Sequence, residues 1–298
     1  METSALLPGV GPDATILLVH AHPDDETIVT GATMAASAAA GARVVLLTCT
    51  RGELGEVIPP ELAHLEVKAG NLADGAGLAA VREHELAAAL AALGVHEHLW
   101  LGQGPTAPAD GPVVFRDSGM QWGPDGRAMA ADKVLPGSLS RAPLAETAEL
   151  LAAAIRELRP SIVITYAADG GYGHPDHVGT HQLTVAALRL AASAGPAGVG
   201  PEGTAAVVTG WKVPAIYAIV SDRPERPLEA GVPRLAVAGD VAAKTAAMAA
   251  HRTQITVAGD RYALSDNVWK DISGVEEFVA VDPAGIYGQA QPDRRDAT

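Results

Sequence analysis

Thr15-Ile-Leu-Leu-Val-His-Ala-His-Pro-Asp-Asp-Glu26 is the stretch on which the reading of this chain turns. An apolar run, partly β-branched, stops at two histidines, a proline and three consecutive acids. A short apolar run bounded by turn formers predicts a buried strand. The acids fall just past its carboxyl end, where open α/β sheets place their ligand sites. His22, Asp24, Asp25 and Glu26 put too much charge into one turn to stand without a counter-ion. Part of this cluster is expected to hold a metal.

Working outward, alanine-rich residues 31–40 closed by Gly41 predict a helix, and 43–48 predict the next strand. Parallel crossovers of this kind are right-handed almost without exception. The glycine-punctuated segment Thr50-Arg-Gly-Glu-Leu-Gly-Glu56 then emerges on the same sheet edge as the acidic turn. Residues 59–77 read as a polar, mobile loop, 78–93 as a helix carrying Arg82, and 98–101 as a third strand. From 102 to 137 glycine, proline and aspartate dominate without period, which predicts a long loop over the site. A helix over 143–158 follows, then a buried strand over 161–166 and a helix over 178–192. Residues 195–203 read as a linker, 207–220 as one or two strands, 240–251 as a helix, and the tail after 283 as frayed. With no internal repeat or heptad, the expectation is one domain with its core over about 15–280. The predicted fold is a Rossmann-like, mostly parallel α/β sheet with helices on both faces and the site at the carboxyl ends of the strands.

A formal charge of −14, with 35 acids against 21 lysines and arginines, argues against nucleic-acid or anionic-membrane partners. Cys49 is the single cysteine, so no internal disulfide can form and a reducing compartment is compatible. It ends an apolar run and reads as a small buried hydrophobe. The start of the chain has no basic, apolar leader, and no stretch approaches the roughly 20 apolar residues of a membrane span. A cytoplasmic protein is expected.

The second strand end repeats the first design: Gly170-Gly-Tyr-Gly precedes His174-Pro-Asp-His177. Zinc favours imidazole and carboxylate donors, and catalytic zinc keeps three protein ligands and one open position. Two ligands from the first turn and one from the second would complete such a set, and the remaining carboxylate and histidine would suit acid–base work. The reaction class is metal-assisted hydrolysis of an amide. Ferrous iron accepts the same donors. Spacing alone leaves open which of Asp24 and Asp25 binds and which acts as base. His20 reads as a supporting or core group, and Glu26 as a helix cap. His181 lacks the glutamate of a zincin face, while His64, His84, His96 and His98 read as surface groups.

The paired motifs resemble the LmbE-like (PIG-L) zinc-dependent N-deacetylases. The likeness also covers the 50–56 loop, Arg82, Arg116-Asp-Ser-Gly-Met120 and His251-Arg-Thr-Gln254. Residue by residue it implies that His22, Asp25 and His177 bind one zinc ion and that Asp24 is the general base. It further implies that His174, oriented by Asp176, is general acid or oxyanion partner, and that Tyr172 helps stabilise the tetrahedral intermediate. Arg82, Asp117 and Met120 would touch the sugar, Glu56 would lie near an inositol, and Gln254 would close against the tyrosine loop. The implied substrate is the small molecule N-acetylglucosaminyl-inositol, deacetylated in mycothiol biosynthesis. The alternatives are a mycothiol S-conjugate amidase, another N-acetylglucosaminide deacetylase, or a non-catalytic sugar- or nucleotide-binding domain. Amidases of the family typically carry proline where this chain has Gly173 and lysine where it has Val29. The first strand lacks the glycine-rich turn of a dinucleotide reader.

Overall fold

A computed structural model describes residues 3–67, 75–195, 198–199, 205–206, 208–220 and 231–288. An eight-stranded sheet crosses the molecule. Its strands are β1 (Thr3–Ser4), β2 (Thr15–His20), β3 (Arg43–Thr48), β4 (Glu97–Trp100), β7 (Ile162–Tyr166), β10 (Ala215–Ile219), β11 (Leu235–Ala238) and β15 (Val275–Val281). They lie in the order β1-β11-β15-β10-β7-β2-β3-β4, and β15 alone runs antiparallel to its neighbours. The quoted stretch is therefore the second strand in the chain, since Thr3–Ser4 precedes it, and it lies inside the sheet between β7 and β3. β11 and β15 were not predicted from sequence, being short or carrying charge in an apolar strand.

Alternation along the central strands explains the layers. Ile16, Leu18, Val44 and Leu46 join one buried cluster with Met34, Leu86, Leu93 and Ala247. Leu17, Val19, Val45 and Leu47 join another with Leu151, Ile155, Leu183 and Leu188. A strand buried on both faces needs apolar residues at every position, and each such side chain contributes about 1.5–3 kcal/mol. The first face is covered by α1 (Asp25–Ala39), α2 (Ala76–Leu93) and α5 (Val241–Ala250). The second is covered by α3 (Leu144–Leu158) and α4 (Pro175–Ala191).

α1 starts six residues earlier than predicted, so the acids of the first turn are its N-terminus. Gly94 ends α2 in the left-handed region, with Val95 N–H donating to Leu90 O, the glycine C-cap read from sequence. The 102–137 region is not structureless. β5 (Met120–Trp122) and β6 (Ala128–Ala130) form a hairpin, and Arg116 bridges Ser138. Pro60–Leu65 forms a 3₁₀ turn in the expected loop; residues 68–74 of that loop lie outside the described residues, as does most of 195–203. β8 (Gly198–Val199) pairs with β9 (Ala205–Ala206), and β12 (Thr256–Ala258), β13 (Arg261–Ala263) and β14 (Lys270–Asp271) make a small sheet. Past Pro283, expected to fray, α6 (Pro283–Tyr287) forms; the tail from 289 is outside the described residues. Among the described residues no helix is long and apolar enough to cross a membrane.

From β2 the chain builds outward through β3 and β4, then returns to place β7 on the other side of β2. That reversal opens the crevice in which such sheets bind ligands. Both motifs sit at this point.

Candidate metal and catalytic site

His22 follows β2 by two residues, and Asp25 opens α1. His177 lies in the first turn of α4, whose Pro175 occupies the N-terminal position that needs no N–H. Asp25 Oδ2 lies 3.3 Å from His22 Nδ1 and 3.3 Å from His177 Nε2. His177 Nδ1 is 3.2 Å from Gly170 O, to which it donates, so Nε2 carries the lone pair. That Nε2 is buried with no hydrogen-bond partner. His22 Nε2 is 3.2 Å from Asp176 Oδ2, which leaves Nδ1 to face Asp25. Donors 2.0–2.1 Å from a tetrahedral zinc stand about 3.3 Å apart, so both measured spacings fit. Among the described residues the groupings whose donor atoms all lie within 4.8 Å of one another are His22/His174/His177 and His22/Asp117/Asp176; Asp25 joins pairwise, through His22 and through His177. The oxygens of Asp176 and Asp117 accept N–H and O–H donors, as Asp25 Oδ2 does from the His22 N–H at 3.0 Å and the Tyr166 hydroxyl.

Burial works against charge on His22, but Asp117, Asp176 and Asp25 outweigh it and raise its pKa well above the imidazole range. A proton held there by surrounding carboxylates is what a cation displaces on binding. Asp25 shows the converse: burial pushes its carboxyl up, while His177 and His22 hold it well below the usual range.

Tyr166, at the end of β7, supports this set and was missed from sequence. Its hydroxyl donates to Asp25 Oδ2 at 2.7 Å and accepts Ala21 N–H at 2.9 Å. Its ring stacks on His177 at 4.3 Å. His20 is fully buried between Tyr166 and Thr30, and burial lowers its pKa to about 4, as suits a supporting group. Gly170 must be glycine: at φ +66 an added Cβ would stand 2.8 Å from His177 Cβ.

Asp24 caps α1 with φ +115, a conformation rarely adopted by residues other than glycine. Burial raises its carboxyl to about 6, against the opposing pull of Arg82. Arg82 Nη2 is 3.2 Å from Asp24 Oδ2, and the guanidinium also donates to Gly52 O and Pro23 O. Being 3% exposed, Arg82 stands behind Asp24, enclosed by the 52–55 turn.

Asp176 reaches two histidines. Its carboxylate binds His22 Nε2, Ser118 N–H at 2.8 Å and the Ser118 hydroxyl, so it orients His22. Its link to His174 runs through the backbone: the Asp176 N–H donates to His174 Nδ1 at 3.1 Å. As helix cap, His174 is thereby fixed with Nε2 as the protonated nitrogen, and burial, reinforced by His22 and His177, holds its pKa well below the usual value. Tyr172 packs edge-on to His177 at 5.1 Å and lies 6.0 Å from Trp122 on the hairpin.

Asp117 lies 3.7 Å from His22 Nε2 and is buried; burial raises its carboxyl, but His22 and His174 bring it below the ordinary range. Met120 begins the hairpin half-buried, and Glu56 is exposed. Gln254 donates to Glu56 O at 2.8 Å and so closes against the 52–56 loop. His98 is half-buried on β4, 3.0 Å from Thr48 Oγ1, whereas His64, His84 and His96 are exposed as expected. Cys49 is buried.

Residues 17–188 match the family model described as PIG-L, GlcNAc-PI de-N-acetylase. The chain belongs to the PIG-L family. Among its relatives is a Kineococcus radiotolerans protein named 1D-myo-inositol 2-acetamido-2-deoxy-alpha-D-glucopyranoside deacetylase, 48% identical over 81% of this chain and 69% of its own. A Thermobifida fusca protein of the same name is 41% identical over 89% of this chain and 92% of its own. In three dimensions the N,N'-diacetylchitobiose deacetylase of Pyrococcus horikoshii shares the fold, with a TM-score of 0.52 at 20% identity over 83% of this chain and 73% of its own. This PIG-L chain thus has the mostly parallel α/β fold expected of it, with the motif histidines and acids gathered at one crevice.

Proposed function

We propose that this chain is a metal-dependent amidohydrolase that removes the acetyl group from 1D-myo-inositol 2-acetamido-2-deoxy-α-D-glucopyranoside, a step of mycothiol biosynthesis. The substrate assignment follows the names of relatives 41–48% identical over most of the chain. The observation that carries the chemistry is that Asp25 Oδ2 lies 3.3 Å from both His22 Nδ1 and His177 Nε2, beside the clustered His22, His174 and His177. These three would hold one divalent ion, zinc by donor type, with ferrous iron meeting the same donors. When bound, the ion supplies a Lewis acid for the acetyl carbonyl and lowers the pKa of water.

The chain's own groups do the rest. Asp24, its carboxyl raised toward neutrality, takes the proton of the attacking water. His174, fixed with Nε2 protonated, donates a hydrogen bond to the developing oxyanion, and the Tyr172 hydroxyl assists. Collapse breaks the C–N bond, and the amine leaves with a proton returned from the site. Asp117 and Met120, beside His22 and on the hairpin, face the sugar; Glu56, exposed on the neighbouring loop, lies toward the inositol. A cytoplasmic setting fits the single buried cysteine.

The test is acetate release from this substrate by metal-reconstituted protein, run beside a bimane conjugate of mycothiol. Rapid acetate release, with Asp24→Asn slowed at least 100-fold, is expected. Preferential cleavage of the conjugate would move the chain to the amidases and leave the metal site standing.

A further inference from the structure

His251-Arg252-Thr253-Gln254 takes no part in the chemistry above, yet three of its side chains each end on a different element. Thr253 donates its N–H and hydroxyl to the two oxygens of Glu85 on α2, at 2.8 and 2.6 Å. Gln254 reaches the 52–56 loop. His251 Nε2 meets Glu26 Oε1 on α1 at 2.7 Å, and both residues are 0% exposed. The other oxygen of Glu26 accepts the N–H of Asp24 at 2.9 Å.

Capping α1 explains Glu26 alone: an acid in the first turn reaching back to the cap N–H is a familiar device. It does not explain a histidine, wholly removed from water, placed behind the cap. Such buried pairs give little net stability over well-packed apolar groups, whereas they constrain geometry strongly. Here the constrained residue is Asp24, whose φ of +115 persists only if its surroundings impose it. His251 Nδ1 has no hydrogen-bond partner, so the imidazole's polar engagement is the single contact to Glu26.

We infer that His251 is a positioning residue which, through Glu26, holds the backbone of Asp24 in the conformation that aims its carboxylate at the reacting water. This rests on Asp24 being the general base. Glu26 Oε1 also accepts the Thr27 hydroxyl at 2.5 Å, a bond local to α1; His251→Leu removes the donor that comes from outside α1, and His251→Gln restores an N–H close to the place of Nε2. The kinetic arm expects kcat to fall at least tenfold in His251→Leu with KM within twofold, and to recover to within threefold of wild type in His251→Gln. In an Asp24→Asn background His251→Leu should cost nothing further, because both changes disable one unit. A second arm follows the Asp24 amide by NMR hydrogen exchange in the metal-free, full-length protein. Exchange should quicken in His251→Leu and return toward wild type in His251→Gln. An equally protected Asp24 amide in folded His251→Leu would overturn the inference whatever the rates, as would an undiminished kcat. If His251→Leu does not fold, an unprotected Asp24 amide or a tenfold lower kcat in folded His251→Gln overturns it too. An Asp24→Asn enzyme at full rate would instead remove the base assignment, while amide exchange would still report whether His251 holds the backbone.

Discussion

Replacing Tyr166 with phenylalanine removes one oxygen atom and keeps the ring that stacks on His177 at 4.3 Å. The lost oxygen makes three hydrogen bonds, donating to Asp25 Oδ2 at 2.7 Å, accepting Ala21 N–H at 2.9 Å and meeting His20 Nδ1 at 3.3 Å. A hydrogen bond to a charged group contributes about 1.5–3 kcal/mol, and an abandoned buried N–H costs about 1–3 kcal/mol. Left with the His22 N–H at 3.0 Å as its one remaining hydrogen-bond donor among the described residues, the Asp25 carboxylate can turn from the edge it shares with His22 and His177. Loss of a group that orients a metal ligand weakens affinity about 10- to 100-fold, or about 1.4–2.7 kcal/mol, the same range as the lost charged bond. The assay is competition of the purified variant against a fluorescent zinc chelator, with a urea melt of the metal-free protein alongside. Zinc affinity should fall by that factor and the melt should lose about 1–3 kcal/mol. Affinity within twofold of wild type would refute the reasoning, because it would mean that Asp25 is not oriented by Tyr166 or is not a ligand.

Two further outcomes follow from other parts of the structure. Gly173 has φ +95 and its added Cβ would lie 2.7 Å from Ala128 O, so Gly173→Ala should destabilise by about 1–3 kcal/mol and lower kcat by shifting Tyr172 off the hairpin; unchanged urea midpoint and rate would contradict it. His98 is held neutral by burial, helped by Arg51, with a pKa near 4 against 6.5 unfolded. Between those values the unfolded chain binds the extra proton, so this term makes stability rise with pH through that window and fall on acidification. At pH 5 the term amounts to about 2 kcal/mol, so the stability difference between His98→Gln and wild type should move by that much in favour of the variant from pH 7 to pH 5; parallel melts at both pH values would count against it.

The chemistry was legible because it is local. A strand end must turn, and the turn residues that project into the crevice are neighbours in sequence, so His22, Asp24, Asp25, His174 and His177 appear as two short words. The central strands were equally plain, because burial on both faces demands unbroken apolar runs such as Ile16 to Val19 and Val44 to Leu47. β15 escaped notice because Glu276 and Glu277 interrupt its apolar pattern. Glu276 is tolerated in the core because it meets Lys244 Nζ at 2.8 Å and the N–H groups of Ala32 and Thr33, partners more than 30 and 240 residues away. Val29, weighed as a mark of substrate choice, lies near that same pair, lining a cleft with Lys244 and Glu276.

What sequence could not show is the set of groups that aim the chemistry, and the reason is topological. Asp25 is oriented from β7 by Tyr166, His22 from α4 by Asp176, and Asp176 in turn from the loop after β4 by Ser118. Asp24 is braced from two further directions, by Arg82 on α2 and, through Glu26, by His251 at the end of α5. Tyr166 carries no local signal, since a tyrosine ending a strand is ordinary in any α/β protein; Arg82, Ser118, Asp176 and His251 stand in recognisable motifs, but the motifs do not say which group each one reaches. Asp176 is the plainest case. The motif places Asp176 two residues from His174, so pairing the two is the natural reading. A helix cap already satisfies His174 through the Asp176 N–H, and the carboxylate is left to turn across the crevice to His22, 154 residues earlier. Reacting groups can be contributed by two turns. Fixing their directions takes contacts from across the fold, and only the folded chain brings those contacts together.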